Sequence, residues 1–210
     1  QRICLAVKKV MDVGGSSIAL MLFFPVFLAI AAAIKCTSKG PVFFRQERMG
    51  SNGRTFMFLK FRSMYTDSDH KKHRDYIRKY ICEQKDAAVE PGVFKLTNDS
   101  RVPPVGRLLR KTSLDELPQL INVLKGEMSL VGPRPEVPKY VALYNEEQKK
   151  VLNAKPGMTD YASLKYRNES ELLGNSKNPE EYYVNKVIPE KLALNMEYIN
   201  NISFLLDIKL

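Results

Sequence analysis

Two adjacent acids, Asp115 and Glu116, stand in a segment otherwise rich in cations, GRLLRKTSLDELPQLINVLKG. Arg107, Arg110 and Lys111 precede them, and Arg134 follows on a turn held stiff by Pro133 and Pro135. The bland reading is structural. Acidic residues complement the dipole of a helix's first turn, so the pattern predicts Asp115 as N-cap and Glu116 to Pro118 as the first helical positions, with Gly126 as the stop. The chemical reading is phosphoryl transfer. Guanidinium groups match phosphate oxygens, and a carboxylate beside them can share a Mg²⁺ with a substrate phosphate. Asp is then a competent nucleophile towards phosphorus, and a neighbouring Glu can accept a proton.

Such a site needs elements to hold it. Leu108 and Leu109 open an apolar stripe that Leu117, Leu120, Ile121 and Leu124 continue at helical spacing. Upstream, Pro41–Arg48 and Thr55–Arg62 are rich in Val and Phe and flank Gly50-Ser51-Asn52-Gly53, which predicts a β-hairpin. That hairpin is basic, with Arg45, Arg48, Arg54, Lys60 and Arg62 against Glu47. A surface helix is expected over Asp67–Lys85 and a loop over Glu90–Pro104. His70 and His73 beside Asp67 and Asp69 read as a solvated face rather than a metal site. Helical patterning resumes over Glu136–Asn153, a turn and short aromatic stretch over Lys155–Arg167, and an amphipathic helix over Pro179–Ile202.

From Ile18 to Ile34 no residue is charged. A straight helix of that run covers about 26 Å, slightly less than a bilayer's hydrocarbon core. Spanning helix, secretory signal, buried core helix and re-entrant hairpin all compete. Pro25 sits mid-run and has no N–H for Met21, which predicts a kink. Arg2, Lys8 and Lys9 precede the run, and Lys35, Lys39, Arg45 and Arg48 follow it. Positive flanks mark the cytoplasmic side, so cations at both ends favour a re-entrant helix.

The 210 residues carry a net charge of +10 with 44 % hydrophobic and 27 % charged residues. This composition excludes a disordered tail and a polytopic membrane protein, and it favours anionic partners. Cys4, Cys36 and Cys82 have no paired spacing and read as free thiols. Gln1 at the start implies that the natural N-terminus lies upstream. A basic nucleic-acid module is one alternative, but no recognition motif supports nucleic acid as a partner. A non-enzymatic module binding anionic lipid is the other.

The segments KKVMDV, GPVFFRQERMG, KFRSM, DSRVPPVGRLLRKTSLDELPQLINVLKGEMSLVGPRPE and IPEKLALNMEYINNISFLLDIKL resemble the catalytic domain of the bacterial monotopic phosphoglycosyltransferases, the bacterial sugar transferase family. The resemblance runs nearly end to end. It implies transfer of a sugar-1-phosphate from a UDP-sugar to polyprenyl phosphate, with release of UMP, at the start of surface-glycan synthesis. Later glycosyltransferases of the pathway would be further partners. By motif, Asp115 is the nucleophile and the Mg²⁺ ligand, and Glu116 its partner and base. Lys60, Arg110 and Arg134 surround the phosphates, while Arg62, Arg101 and Gln119 belong to the same motifs. The family's membrane helix breaks at a proline, here Pro25, although Phe24 replaces the usual Ser before it. Gly157–Ser163 replaces a Gly-Trp-Ala-Gln-type stretch that faces sugar or nucleotide. The expected architecture is α+β: a small β-hairpin or sheet, surrounding amphipathic helices and a Pro-kinked re-entrant membrane helix. Residues 1–36 would form that helix and residues 37–210 a catalytic domain on the cytoplasmic face of the bacterial inner membrane.

Overall fold

A computed structural model describes residues 2–66, 101–174, 176 and 178–210. The expected helix Asp67–Lys85, the His70 and His73 pair, Cys82 and most of the expected loop before Pro104 lie outside the described residues.

The apolar run lies within one long helix, α1 (Arg2–Thr37), which continues through Pro25. Among the described residues it is the one helix long and apolar enough to cross a membrane. Both of its ends pack on the rest of the chain. Near its start, Asp12 is buried, and its Oδ1 accepts from Ser129 Oγ and the Leu130 N–H, each at 2.9 Å. Near its end, Ile30 and Ile34 are buried with Phe61 and Leu109. In between, Met21 to Pro25 are exposed in succession. A straight helix lying on a surface returns a residue to it about every 3.6 positions. Ala19, Leu20, Val26 and Phe27 are half-buried and Phe23 is 37 % exposed, so one face of α1 keeps this spacing along the body while Met21, Leu22, Phe24 and Pro25 project from it.

The hairpin is as the sequence predicts. Strand β1 (Phe43–Met49) pairs antiparallel with β2 (Thr55–Phe61), from Phe43 opposite Phe61 to Met49 opposite Thr55. Asn52 (φ 55°) and Gly53 (φ 70°) take the left-handed conformations that an Asn-Gly turn supplies. Strand periodicity puts Arg48, Phe58 and Lys60 on one face. Phe61, on the opposite face, packs towards α1.

After the hairpin come α2 (Pro104–Thr112) and α3 (Gln119–Leu124). Here the expected helix start is corrected. Ser113 turns left-handed (φ 58°) and ends α2, and Leu114–Glu116 form a single 3-10 turn. Asp115 is thus no N-cap of an α-helix. Pro118 has no N–H to bring the dyad into the helical ladder, so α3 begins behind it. Gly126 (φ 77°) closes the segment as expected.

A second sheet was not foreseen. Strand β3 (Ser129–Val131) pairs parallel with β4 (Gly157–Thr159). Gly132 and Gly157 meet backbone to backbone there: a Cβ on Gly157 would lie 2.1 Å from the Gly132 nitrogen. Short helices Pro138–Val141 and Glu146–Lys149 fill the crossover, consistent with its helical patterning. The chain then closes with α4 (Ile188–Asn200) and α5 (Phe204–Lys209). Val141, Tyr144, Val151, Ile188 and Leu192 form the core beneath α4.

Candidate active site

The hairpin face brings two cations to one aromatic ring. The Arg48 guanidinium and the Lys60 ammonium each lie 5.6 Å from the Phe58 ring centroid. Arg134 arrives from the Pro-Arg-Pro turn at 6.0 Å. These separations suit cation–π attraction, so buried Phe58 holds three like charges together.

Arg134 is fixed at both ends. Its backbone N–H donates to Asp160 Oδ2 at 3.0 Å, and its Nη1 donates to the Met158 carbonyl at 3.1 Å. Asp160 is fully buried and also accepts from the Ser163 N–H, capping the short helix Tyr161–Lys165. It is therefore a positioning residue for the arginine.

Glu116 lies between the cations. Its Oε1 accepts from Lys60 Nζ at 2.7 Å and from Arg134 Nη2. Burial pushes the Glu116 carboxyl up, but Arg134 and Lys60 together outweigh it and pull the pKa down to about 2. Asp115 has the opposite electrostatics. It is 9 % exposed, and no side chain among the described residues forms an ion pair with it. Burial raises its pKa, with Lys60 opposing and Glu116 adding to the rise. One carboxylate is thus locked to its cations, and the other is uncommitted beside them.

The dyad adjoins a cavity of about 690 Å³, lined at one end by Lys60, Glu116 and Arg134 and at the other by Tyr166, Lys191 and Asn195. Asp160, Ala162 and Ser163 also face it, so part of the expected Gly157–Ser163 stretch reaches the cavity.

The other sequence-predicted residues stand apart from Glu116, although the Arg110 guanidinium lies near enough to Asp115 to oppose the rise in its pKa. Arg62 is buried away from the dyad, and its guanidinium donates to the Lys39 carbonyl at 2.6 Å and the Ser38 carbonyl at 2.9 Å. There it caps the end of α1. Gln119 is fully buried, with its amide unpartnered among the described residues. Arg110 Nε donates to Ser63 Oγ at 2.9 Å, and the Arg101 carbonyl accepts from the Tyr65 N–H. None of these four lines the cavity.

Among the described residues no cluster of three His, Cys, Asp or Glu could hold a metal alone. Magnesium needs less, because it commonly takes one or two carboxylates and completes its shell with substrate phosphates and water. Asp115 fits that role. Glu116 fits it less well in this arrangement, since Lys60 and Arg134 already balance its charge through Oε1.

The sequence that carries these cations and paired acids matches a known family. The profile for "Bacterial sugar transferase" matches residues 3–210. The chain belongs to the bacterial sugar transferase family. It is 42 % identical over 163 residues to the exopolysaccharide production protein ExoY of Rhizobium meliloti, covering 77 % of this chain and 70 % of that protein. It is 37 % identical over 206 residues to the galactosyl transferase CpsE of Streptococcus agalactiae, covering 98 % of this chain and 40 % of that protein. A UDP-glucose:undecaprenyl-phosphate glucose-1-phosphate transferase of Klebsiella pneumoniae is 36 % identical over 211 residues, covering 97 % of this chain and 38 % of that protein. The chain thus spans most of the first relative but well under half of the two longer ones. Membership makes the chain a transferase and removes the non-enzymatic lipid-binding reading.

Three residues that matter to the site escaped the sequence reading: Arg48 as a site cation, Asp160 as the anchor of Arg134, and Asn195 as a cavity residue. Arg48 alone had a local signal, since strand alternation puts it on the face of Lys60.

Proposed function

We propose that the protein moves a sugar-1-phosphate from a UDP-sugar to undecaprenyl phosphate through a covalent phosphosugar on Asp115, releasing UMP. One observation carries this reading: an uncommitted, buried carboxylate lies within reach of the Lys60 and Arg110 charges, and the neighbouring Glu116 holds Arg134, cations that a pyrophosphate would recruit.

In the first step an Asp115 carboxylate oxygen attacks the phosphorus that bears the sugar. The bond from that phosphorus to the bridging oxygen breaks, and UMP leaves with the electron pair. In the second step a phosphate oxygen of the lipid attacks the same phosphorus, and the bond to Asp115 breaks. The products are a lipid diphosphate sugar and a regenerated carboxylate. Mg²⁺, held by Asp115 and phosphate oxygens, would neutralise charge on the transferred group.

Glu116 has two successive roles in this reading. Before substrate arrives, it holds Lys60 and Arg134 in place. Phosphate oxygens then compete for those cations, and Glu116 regains basicity as they are drawn off. A phosphate monoester has its second pKa near 6, so the lipid phosphate is already largely a dianion at pH 7. Glu116 need accept only the residual proton.

The exposed apolar face of α1 supports a membrane placement. With both ends packed on one body and Met21, Leu22, Phe24 and Pro25 projecting from it, α1 would dip into one leaflet and return. Leu108, Phe204, Leu205 and Ile208 are exposed on α2 and α5 and would lie at the same interface. The basic flanks favour the cytoplasmic face of the inner membrane.

The test uses the chain in nanodiscs with a panel of UDP-sugars, Mg²⁺ and undecaprenyl phosphate. UMP should appear with at least one donor, and a phosphosugar mass should appear on the protein when lipid is withheld. Absence of UMP across the panel overturns the reading.

A further inference from the structure

The far end of the cavity is built on one face of α4. Ile188, Lys191, Leu192 and Asn195 follow each other at i, i+3, i+4 and i+7, and all four line it. Most polar groups there are already paired. Tyr183 Oη donates to Glu136 Oε2 at 2.7 Å, and Tyr166 Oη to Glu190 Oε2 at 2.6 Å. Lys191 pairs with Glu169 and lies 5.6 Å and 5.3 Å from the Tyr166 and Tyr183 ring centroids.

Asn195 is the exception. It is 5 % exposed, and its Oδ1 is buried with no hydrogen-bond partner. The other buried unpartnered groups among the described residues belong to Arg62 and Gln119, which do not face the cavity. Buried carboxamides in folded proteins are nearly always bonded, and an unpaired one facing a cavity points to a ligand. A carboxamide offers one donor and one acceptor side by side. The imide edge of uracil, with its N3–H beside a carbonyl, is the complementary pair.

Direction supports a base rather than a sugar at this end. In-line displacement sends the leaving group away from the nucleophile. The cavity lining runs from Lys60, Glu116 and Arg134 to Asn195 and leaves out Asp115. A phosphorus attacked by Asp115 therefore has its leaving nucleotide on the cavity side.

We propose that this end of the cavity is the nucleobase subsite of the donor, with the Asn195 carboxamide reading the imide edge of a pyrimidine beside the Tyr166 and Tyr183 rings. The proposal rests on the donor being a nucleotide sugar, as proposed above.

The experiment measures binding of UMP and of 3-methyl-UMP, whose imide N–H is blocked, to the full chain in nanodiscs by calorimetry. The wild-type protein is expected to bind 3-methyl-UMP about tenfold more weakly than UMP. Asn195→Leu is expected to lose about the same factor for UMP and nothing further for the methylated ligand, the signature of a direct pair. Equal wild-type affinity for the two ligands overturns the proposal. Losses that multiply in the variant overturn it too, because they indicate a structural role. So does unchanged UMP affinity with an altered KM for the UDP-sugar, which would put Asn195 on the sugar. The wild-type comparison holds even if Asn195→Leu fails to fold. If the expected pattern appears with no sugar transfer, the subsite stands and the transferase reading falls. Transfer without the pattern gives the reverse.

Discussion

The two acids of the dyad occupy opposite electrostatic states, and each state has its own consequence. Asp115 is held above its ordinary pKa by burial. A raised folded pKa adds stability only at acid pH and loses it as pH rises through the folded value, so at neutral pH the ionised side chain is a burden. Asp115→Asn should abolish the phosphosugar adduct seen by mass spectrometry and cut turnover about a thousandfold or more, while raising the Tm at pH 7. An adduct surviving in this variant would refute the nucleophile assignment. Glu116 behaves inversely. Its depressed pKa of about 2 stabilises the fold fully above the ordinary carboxylate value of 4.5 and loses that contribution as pH falls towards 2. Glu116→Gln should cost about 2 kcal/mol at pH 7 after allowance for its partial exposure, and the cost should vanish near pH 2 in denaturant titrations. Its turnover should drop more than its rate of adduct formation. Equal drops in both would leave Glu116 with no role in the second step.

Between residues and molecule, the elements differ in how far the sequence disclosed them. The hairpin was legible because Asn52-Gly53 is a local signal for left-handed backbone, and alternation then fixes which side chains share a face. The start of α3 was not, because the chain reverses at Ser113, a residue type that seldom adopts positive φ. The β3–β4 pair was hidden for a different reason: its strands are three residues long and pair across a long crossover, so no local period marks them. Asp115, Glu116, Lys60 and Arg134 were legible as charges in motifs, whereas Asp160 and Asn195 act through positions that only the tertiary fold creates. The glycine contact gives this scale its test. Gly157→Ala must separate β3 from β4, next to the turn that carries Arg134. It should cost about 1–3 kcal/mol in Tm-derived stability and lower UMP formation with it. Gly14→Ala is the control. Nothing lies within 4 Å of a Cβ there and the residue is helical, so stability should rise by up to about 1 kcal/mol. A stable Gly157→Ala protein with full activity would show that the strand contact does not position the arginine.

For the whole molecule, the question is how a catalytic body with a water-soluble donor meets an acceptor dissolved in lipid. The clamps at the two ends of α1 constrain the answer. Besides Asp12 on β3, Lys8 pairs with Asp207 of α5 at 2.6 Å and donates to Tyr198 Oη of α4 at 3.1 Å. At the other end Arg62 caps the carbonyls of Ser38 and Lys39. A spanning helix would have to break one set of clamps to carry an end across the bilayer. A helix that enters and leaves on one face would keep both and bury exposed Ile18, Met21, Leu22, Phe24 and Leu28 in one leaflet. In inside-out vesicles of a background with Cys4, Cys36 and Cys82 all replaced by Ser, single cysteines replacing Val10 and Lys39 should therefore both react with a membrane-impermeant maleimide. In right-side-out vesicles neither should react. Labelling of the two positions from opposite faces would establish a spanning helix and break the link between these clamps and the proposed placement of the active site at the lipid surface.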